Sequence, residues 1–302
     1  MEQSEIEALV KLIDDEDPMV YNHVRSKLIS FGHQAYQVLH EHAMWAENEI
    51  QHERLLDVLS SLNLGHIKNL LSDWAQYRQN DLLEGIYLIA KYRFTELDLV
   101  PISQYIDKIK LDIWLRLNHK FSPLDNVRVI NEVLFGKYRF YGDSKNYYNP
   151  ENSYINQVLD SRKGNPISIS ILYSIIAQRL YLPIFGVDLP QHFILAYKDD
   201  SELKESESFN TEGVIPYNLP GEVIFYVNAF NGGAIFSKYN IDRFLKQSNL
   251  GNEEHYFEPC SNIKIVARVI RNLINSYNQL NDKKRKADMQ ELHEFINALT
   301  EK

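Results

Sequence analysis

The sequence contains a single cysteine, Cys260, among 302 residues, so no disulfide can form within the chain. A lone cysteine is typical of proteins from reducing compartments. The first residues, MEQSEIEALV, are acidic and do not show the basic and then apolar layout of a signal peptide. These absences predict a cytoplasmic protein.

Long apolar runs and an excess of basic residues are also missing. The most apolar stretch, residues 167–187, is interrupted by Gln178 and Arg179, which excludes a membrane span there. The net charge is −9, which is not the electrostatic footprint of a nucleic-acid-binding protein. Glycine and proline are few, whereas the chain has 19 Tyr and 14 Phe, as a folded core requires. We therefore expect a folded protein that binds neither nucleic acid nor membranes; the sequence does not indicate its oligomeric state.

Residues 1–120 carry apolar residues at helical spacing. Two short apolar helices, joined by the acidic turn Asp14–Pro18 and ended by Gly32, resemble one HEAT-type repeat. One such unit cannot bury its apolar face alone, so further helices should stack on it. We predict a helical, HEAT-like domain over 1–120. Its later helices are expected near residues 49–62, 67–79, 82–92 and 100–117.

One segment of this region has the spacing of a metal site, because Glu49 and His52 form a Glu-x-x-His pattern. Di-iron sites in helical bundles need a second such motif and further glutamates. No second copy appears in the sequence, and a lone motif of this kind is weak evidence. We interpret the segment as a solvated helix face and predict no metal and no other cofactor.

The segment from Asn165 to His192 predicts a helix followed by strands. Asn165 is a candidate N-cap and Pro166 a candidate first helical residue. The residues that follow are apolar nearly all round, which indicates a buried helix. Its N-terminus would carry a partial positive charge able to stabilise an anion. With strands predicted over 184–187, 192–197 and 223–227, this indicates an α+β core in which a small antiparallel sheet packs against the helix.

The middle of the chain resembles a known family. The resemblance is strong over about 120–240, and its motifs are specific when taken together. The segments that carry it are Asn131–Phe135, Tyr138–Gly142, Tyr147–Pro150, Asn152–Tyr154, Asn156, Val158-Leu159, Arg162–Ser168, Leu189–Phe193 and Asn228–Gly233. They are similar to the papain/transglutaminase-like core of SirB-type proteins.

This resemblance implies the position of a Cys-His-Asp triad. His192 occupies the histidine position and Asn228 the aspartate position, while the cysteine position falls within Pro166–Ser168. No nucleophilic thiol is present there, and an asparagine cannot supply the negative charge that stabilises an imidazolium. One interpretation is that His192 bonds to Asn228 in a polar pocket and supports the fold or a binding role. The other is that Ser168 or Ser170 acts as a nucleophile with His192.

Five further residues are candidates for binding. The aromatic residues Tyr147, Tyr148 and Tyr154 could line a pocket beside His192, although such residues also commonly form the core. Two others flank the predicted helix start. They are Arg162, which could attract an anion, and the cap Asn165.

The remaining segments complete a three-part organisation. The acidic, serine-rich segment Asp199–Gly213 predicts a flexible loop. Residues 251–302 predict a helical pair that resembles the short tetratricopeptide-like tail of SirB-type proteins. We therefore predict a HEAT-like domain over 1–120, a transglutaminase-like core over 121–250 and a C-terminal helical pair over 251–302.

Two functional hypotheses follow from these patterns. The first is a catalytically inert transglutaminase-like protein, a pseudoenzyme, that binds a protein or peptide partner or acts as a regulatory module. The second is a hydrolase or acyl-transfer enzyme that uses Ser168 with His192. The second requires the serine hydroxyl to lie within hydrogen-bond reach of the imidazole.

Overall fold

The computed structural model describes residues 2–199, 220–251 and 253–300. The chain divides into two compact units, Met1–Asp73 and Trp74–Lys302. Apart from its first residue, the predicted flexible loop over 199–213 lies outside the described residues.

The first unit is helical. Asp17 caps the second helix by accepting a hydrogen bond from the backbone N–H of Met19, and Pro18 takes the first helical position, as the acidic Asp-Pro turn predicts. Gly32 adopts a positive φ of 60° at the predicted stop. The helices are α1 (Glu2–Val10), α2 (Pro18–Ser30), α3 (His33–Met44) and α4 (Glu49–Asp73).

Helix α4 corrects one prediction, because it is a single helix where two were expected. Gly65 lies near the predicted break, and glycine inside a helix costs about 1 kcal/mol relative to alanine. Apolar residues nevertheless continue at helical spacing beyond it, and both Ile67 and Leu71 are fully buried. Their burial offsets the glycine, so the helix continues to Asp73 and passes into a π-helical turn, Trp74–Arg78.

The second unit surrounds one buried helix. Its helices are α5 (Leu82–Arg93), α6 (Leu99–Trp114), α7 (Pro123–Asn131), α8 (Ile155–Ser161), α9 (Pro166–Arg179), α10 (Lys238–Gln247), α11 (Asn262–Gln279) and α12 (Lys283–Thr300), with a π-helical turn at Glu132–Lys137 and 3-10 turns at Pro150–Ser153, Ala229–Asn231 and Glu254–Tyr256. Every residue of α9 from Ile167 to Ala177 is buried, as its continuous apolar sequence predicts.

Two sheets accompany these helices. The main sheet is an antiparallel meander of β3 (Ile184–Leu189), β4 (His192–Lys198), β5 (Val223–Asn228) and β6 (Ala234–Phe236). The first three strands confirm the predicted ones, whereas β6 was not predicted. A short parallel pair, β1 (Tyr141–Gly142) and β2 (Lys163–Gly164), lies at the entry to α9.

Helices cover the main sheet on two sides. Helix α9 packs against β3 and β4, and the hydroxyl of Tyr197 in β4 interacts electrostatically with Tyr173 of α9. Successive side chains of a strand point to opposite faces. Ile194 and Ala196 accordingly pack with Ile241 and Leu245 of α10 on the other face. The fold is an α+β core with helical flanks, which confirms the predicted class.

The compact units do not follow the three predicted segments. Helices α5 and α6 contact α9, and α5 also contacts α11, so these elements share a core with the sheet. Helix α11 lies against α12, α9 and β3 as well. Sequence periodicity predicts each helix, but it does not predict the element against which the apolar face of that helix packs. The boundaries of the three predicted segments therefore differ from those of the two compact units.

No helix in the described parts of the chain is long and apolar enough to cross a membrane.

Candidate functional site

The N-terminus of α9 is closed by a buried capping box. The side-chain oxygen of Asn165 accepts from the backbone N–H of Ser168 at 3.0 Å, and the Ser168 hydroxyl accepts from the backbone N–H of Asn165 at 3.0 Å. The amide nitrogen of Asn165 donates to the Ser153 hydroxyl at 2.8 Å. All three residues are buried. The chain's own side chains therefore occupy the position where the resemblance places a nucleophile.

Close packing around this capping box leaves little free space. A Cβ atom added to Gly164 would lie 2.4 Å from Ser168 Oγ, and one added to Gly142 would lie 2.3 Å from the ring of Phe230. The two glycines are neighbours across the β1–β2 pair. Asn131 donates to the carbonyl of Gly233 at 3.0 Å, which ties the start of β6 to the end of α7. Several segments that carry the family resemblance, those with Gly142, Gly164 and Phe230, thus pack together around the start of α9.

The serine hydroxyls of α9 are engaged within the helix. Ser168 also donates to the carbonyl of Asn165 at 3.2 Å. Ser170 donates to the carbonyl of Pro166 at 2.7 Å. Neither hydroxyl has an imidazole as a partner among the described residues. Both serines are held as parts of the buried helix start.

His192 lies on the opposite side of the sheet from α9. It is the first residue of β4 and shares the face of Ile194 and Ala196. Its exposed ring meets Phe244 of α10 edge to face, with ring centroids 4.7 Å apart. The structure therefore does not bring together His192 and Ser168, the pair that the serine-enzyme hypothesis requires.

Asn228 has a local structural role. Its side-chain oxygen accepts from the backbone N–H of Asn231 at 3.1 Å and caps the 3-10 turn that follows β5. No hydrogen bond joins Asn228 to His192 in the part of the chain that the structure describes. This corrects the expectation that the two residues bond in a polar pocket, because the end of β5 uses the asparagine as a turn cap.

Cys260 has the properties of a structural thiol. It is partly buried, and its sulfur donates to the carbonyl of Gly186 at 3.4 Å. Burial raises the pKa of the Cys260 thiol to about 12, and the charge of Asp188 acts in the same direction. Since the thiolate is the nucleophilic form, this raised pKa disfavours reaction of Cys260 at neutral pH.

The three predicted aromatic binding residues separate into two groups. Tyr147 and Tyr148 are both exposed and pack edge to face, with ring centroids 5.2 Å apart. Tyr154 is only 2% exposed, and its hydroxyl lies 2.7 Å from that of Tyr277 on α11. Burial raises the pKa of Tyr154 well above its ordinary value. This places Tyr154 in the core rather than in a pocket beside His192, because a hydroxyl partner lets the ring be buried at low cost.

Arg162, the remaining candidate, lies at a groove between α6 and α8. It ends α8 in a left-handed conformation, and its carbonyl accepts from the N–H of Tyr141 in β1. The groove, which we name the α6–α8 groove, has a volume of about 500 Å³. It is lined by Glu96, Leu97, Asp98, Pro101, Ile102, Tyr105, Asn156, Leu159, Asp160 and Arg162.

A second cavity, of about 540 Å³, lies between α11 and the β3–β4 turn, and we name it the basic cavity. Arg268 Nη1 lies 2.9 Å from Asp188 Oδ1, and Arg271 Nη2 lies 3.7 Å from the same oxygen. Burial raises the pKa of Asp188, although the nearby charges of Arg271 and Lys264 act in the opposite direction. The cavity is lined by Asp188, Pro190, Gln191, His255, Tyr256, Glu258, Pro259, Cys260, Lys264, Arg268 and Arg271.

Neither cavity was predicted from the sequence. A sequence pattern does indicate the basic cavity. Lys264, Arg268 and Arg271 are spaced by four and three residues, so they share one face of α11. In the Glu-x-x-His segment, His52 Nδ1 contacts the carbonyl of Ala43 at 2.9 Å. Within the described residues, no three His, Cys, Asp or Glu side chains are grouped so as to hold a metal ion.

Several curated proteins are similar to this chain. A UPF0162 protein of Xylella fastidiosa strain 9a5c is 29% identical over 204 residues, which are 66% of this chain and 66% of that protein. The corresponding protein of strain Temecula1 is 27% identical over 65% of this chain and 64% of its own length. The mouse protein F-box only protein 21 is 42% identical over 73 residues, or 24% of this chain and 12% of the mouse protein. The chain thus spans just under two thirds of the length of the Xylella relatives.

No solved structure matches the chain. The profile of the transglutaminase-like superfamily matches residues 101–271, from α6 into α11. This match covers more than half of the chain. It includes the capped start of α9, the main sheet, and the parts of β3 and α11 that line the basic cavity. The chain belongs to the transglutaminase-like superfamily.

Proposed function

We propose that this protein is a non-catalytic, SirB-type member of the superfamily that binds a peptide segment of a partner protein. The observation that carries the proposal is the buried capping box of Asn165 and Ser168 at the start of α9. A residue that must attack a substrate has to be exposed to it and activated by a base. Ser168 is 3% exposed and bonds to its own helix start instead.

The α6–α8 groove is the proposed peptide site. Its volume of about 500 Å³ is within the range of roughly 300 to 1,000 Å³ that is usual for ligand pockets. Apolar side chains, among them Ile102 and Leu159, are buried in its lining. The side-chain oxygen of Asn156 is buried without a hydrogen-bond partner among the described residues. It could accept a hydrogen bond from the backbone of a bound peptide.

The charges of the groove specify the kind of peptide. Glu96, Asp98 and Asp160 are exposed at the groove, and Arg162 is the single cation among the described residues that line it. Complementary charge favours a ligand with a basic residue, and the apolar lining favours a neighbouring apolar one. We therefore propose that the groove takes a segment in which an apolar side chain is flanked by Lys or Arg.

Peptide selection tests the binding half of the proposal. Random heptapeptides displayed on phage are selected on the full chain, and the enriched sequences are synthesised with a fluorescent label for polarisation measurements. We expect basic–apolar sequences, and affinity about tenfold weaker for the double variant Glu96→Lys, Asp160→Lys. Glu294→Lys reverses an exposed charge on α12, outside the groove, and should leave affinity unchanged. Equal binding to all three proteins would reject the groove as the site.

Activity-based labelling tests the non-catalytic half. A broad fluorophosphonate probe is applied to the wild type and to Ser168→Ala and His192→Ala. We expect no labelling that depends on either residue. Labelling of the wild type that is lost in both variants would make the protein a serine hydrolase and overturn the proposal.

The flanking helices extend the same proposal. Helices α1–α4 of the first unit would act as a HEAT-like support for partner binding, since helical repeats commonly present binding surfaces. The pair α11 and α12 would correspond to the tetratricopeptide-like tail of SirB-type proteins.

A further inference from the structure

We propose that the basic cavity is a binding site for the phosphate group of a phosphate monoester. The site is separate from the α6–α8 groove and does not depend on peptide binding there. One wall carries Lys264, Arg268 and Arg271, which project from successive turns of α11. The opposite wall is the β3–β4 turn, with Pro190 and Gln191.

The cations of this wall exceed the negative charge that faces them. Asp188 is the carboxylate that both arginines approach. Glu258, the other carboxylate of the lining, is exposed and lies 3.7 Å from the ammonium group of Lys198. Among the described residues that line the cavity, the three cations of α11 therefore face one half-buried carboxylate, which leaves two positive charges. A phosphate monoester carries a charge of roughly −1.5 to −2 at neutral pH and matches that excess.

The guanidinium of Arg268 has unused hydrogen-bonding capacity. Its side chain is 13% exposed, and its Nε is buried without a hydrogen-bond partner in the described structure. Asp188 Oδ1 forms an ion pair with Nη1 but has no hydrogen-bond partner among the described residues. A buried charged donor left unpaired is costly, whereas a charge-assisted bond to a phosphate oxygen is strong. Arginine forks suit phosphate geometry in particular.

The remaining lining groups are compatible with an anion. His255 is exposed and packs on the ring of Tyr256, with ring centroids 4.3 Å apart. Its position allows it to add a further donor at the mouth of the cavity. Gln191 holds a positive φ of 62° in the turn after Pro190, where an L residue other than glycine is strained. Backbone strain of this kind is often retained at ligand-binding positions, and in this conformation Gln191 lines the cavity.

A monocarboxylate is a poorer match to the same site. Its single charge would leave one cation uncompensated, and Asp188 already supplies one carboxylate to the arginines. A tetrahedral phosphate presents several oxygens, so it can contact cations that approach from three turns of one helix. The proposed ligand group is therefore a phosphate monoester. A small metabolite and a phosphorylated peptide can both carry this group.

Calorimetry on the full chain tests the proposal. The probes are inorganic phosphate, glycerol 3-phosphate, and a phosphoserine peptide with its unphosphorylated twin. Two variants, Lys264→Ala and Arg271→Met, remove exposed cations but leave the Arg268–Asp188 pair in place, so both should fold. Lys246→Ala removes an exposed lysine of α10, which does not line the cavity, and is the matched control.

We expect saturable binding of phosphorylated probes, with affinity about tenfold lower in each cavity variant and unchanged in the control. Arg271→Lys keeps the charge but loses the fork and should fall between the wild type and Arg271→Met. Equal affinity for glycerol 3-phosphate and the phosphopeptide would assign the site to small metabolites, whereas much tighter phosphopeptide binding would assign it to a modified protein. The proposal is overturned if no phosphorylated probe binds at about 5 mM or if binding is the same in both cavity variants.

Discussion

The start of α9 and the basic cavity use polar residues in opposite ways. At α9, the side chains of Asn165 and Ser168 bond to each other's backbone, and Ser153 takes the remaining amide donor. In the cavity, Arg268 Nε and Asp188 Oδ1 are buried and lack hydrogen-bond partners among the described residues. The polar groups of Asn165 and Ser168 thus have hydrogen-bond partners within the protein, whereas Arg268 Nε and Asp188 Oδ1 can still bond to a ligand.

Helix starts and cavities differ in whether their polar groups remain available to a ligand. A helix N-terminus can stabilise an anion only if its donors face a ligand. Here Pro166 has no N–H, and the N–H of Ile169 bonds to the carbonyl of Asn165. The start of α9 therefore stabilises the fold, and cationic groups able to bind a ligand lie in the basic cavity instead.

The largest expected effect comes from filling the space beside the capping box. Gly164→Ala would place a Cβ 2.4 Å from Ser168 Oγ and 2.9 Å from Ile169 Cδ1, inside a closely packed region. Overpacking of this kind costs about 3 kcal/mol in the free energy of unfolding, measured by urea denaturation. Gly136→Ala is the control, since no atom lies within 4 Å of its added Cβ. Equal stabilities of the two variants would mean that the start of α9 is not tightly packed.

Removing the cap itself should have the next largest effect. Asn165→Ala leaves the N–H of Ser168 and the hydroxyl of Ser153 without their buried partner. The expected loss of unfolding free energy is about 2 kcal/mol. Ser122→Ala removes the cap of α7, which is exposed to water, and should cost about half as much. A smaller loss for Asn165→Ala than for Ser122→Ala would contradict the structural role of the buried box.

Two carboxyl groups provide a comparison by pH. Hydrogen bonding from the backbone N–H of Asn146 lowers the pKa of Asp143, which lies beside β1, whereas burial raises the pKa of Asp188 in the cavity. The lowered pKa of Asp143 stabilises the fold above the unfolded-state pKa, and this stabilisation is lost as pH falls through its folded pKa. The raised pKa of Asp188 has the opposite sign, so its contribution is present at low pH and is lost as pH rises through its folded pKa.

Carboxyl carbon NMR titrations can measure both groups, with Asp143→Asn and Asp188→Asn assigning the signals. We expect the two pKa values to lie on opposite sides of the ordinary value of about 3.9. Added phosphate should raise the pKa of Asp188 further, because a nearby anion disfavours the carboxylate, and should leave Asp143 unchanged. If the pKa values of Asp143 and Asp188 both lay on the same side of the ordinary value, the surroundings of the two carboxyl groups would not differ in the way proposed here.

The smallest expected effect is a gain in stability at the β3–β4 turn. Gln191→Gly relieves the positive φ of 62° and should raise the free energy of unfolding by up to about 1 kcal/mol. Asn281→Gly is the control at a φ of 56°, where asparagine is already well tolerated, so its gain should be smaller. The urea midpoints of the two variants compare them directly, and a loss of stability in Gln191→Gly would exclude strain at this turn.

Local patterns predicted much of the core around α9. The cap Asn165, the following Pro166 and the continuous apolar run were sufficient for the buried helix, because these signals act within a few residues. Short runs of apolar residues rich in aromatic and β-branched side chains likewise marked three strands of the main sheet. The two-residue pair of β1 and β2 could not be predicted, because no periodicity develops over so short a length.

The functional site was harder to predict, because it depends on which face of each strand or helix packs against another element. Alternation along β4 shows that His192 and Phe193 point to opposite faces, but it does not show which face α9 covers. The spacing of Lys264, Arg268 and Arg271 is visible in the sequence. The turn at Pro190 and Gln191 that faces them lies about 70 residues earlier in the chain, and only the folded structure brings it to α11.

The most direct test of this account follows the backbone amide signals of the full chain by NMR as inorganic phosphate is added. We expect shifts in the amides of residues 188–192 and 255–271, around the basic cavity, and none at residues 164–169, where the chain caps α9 itself. Shifts confined to residues 164–169 would show that the start of α9 is an open anion site. That result would contradict the central claim that this helix start is structural and that ligand binding takes place in the cavity.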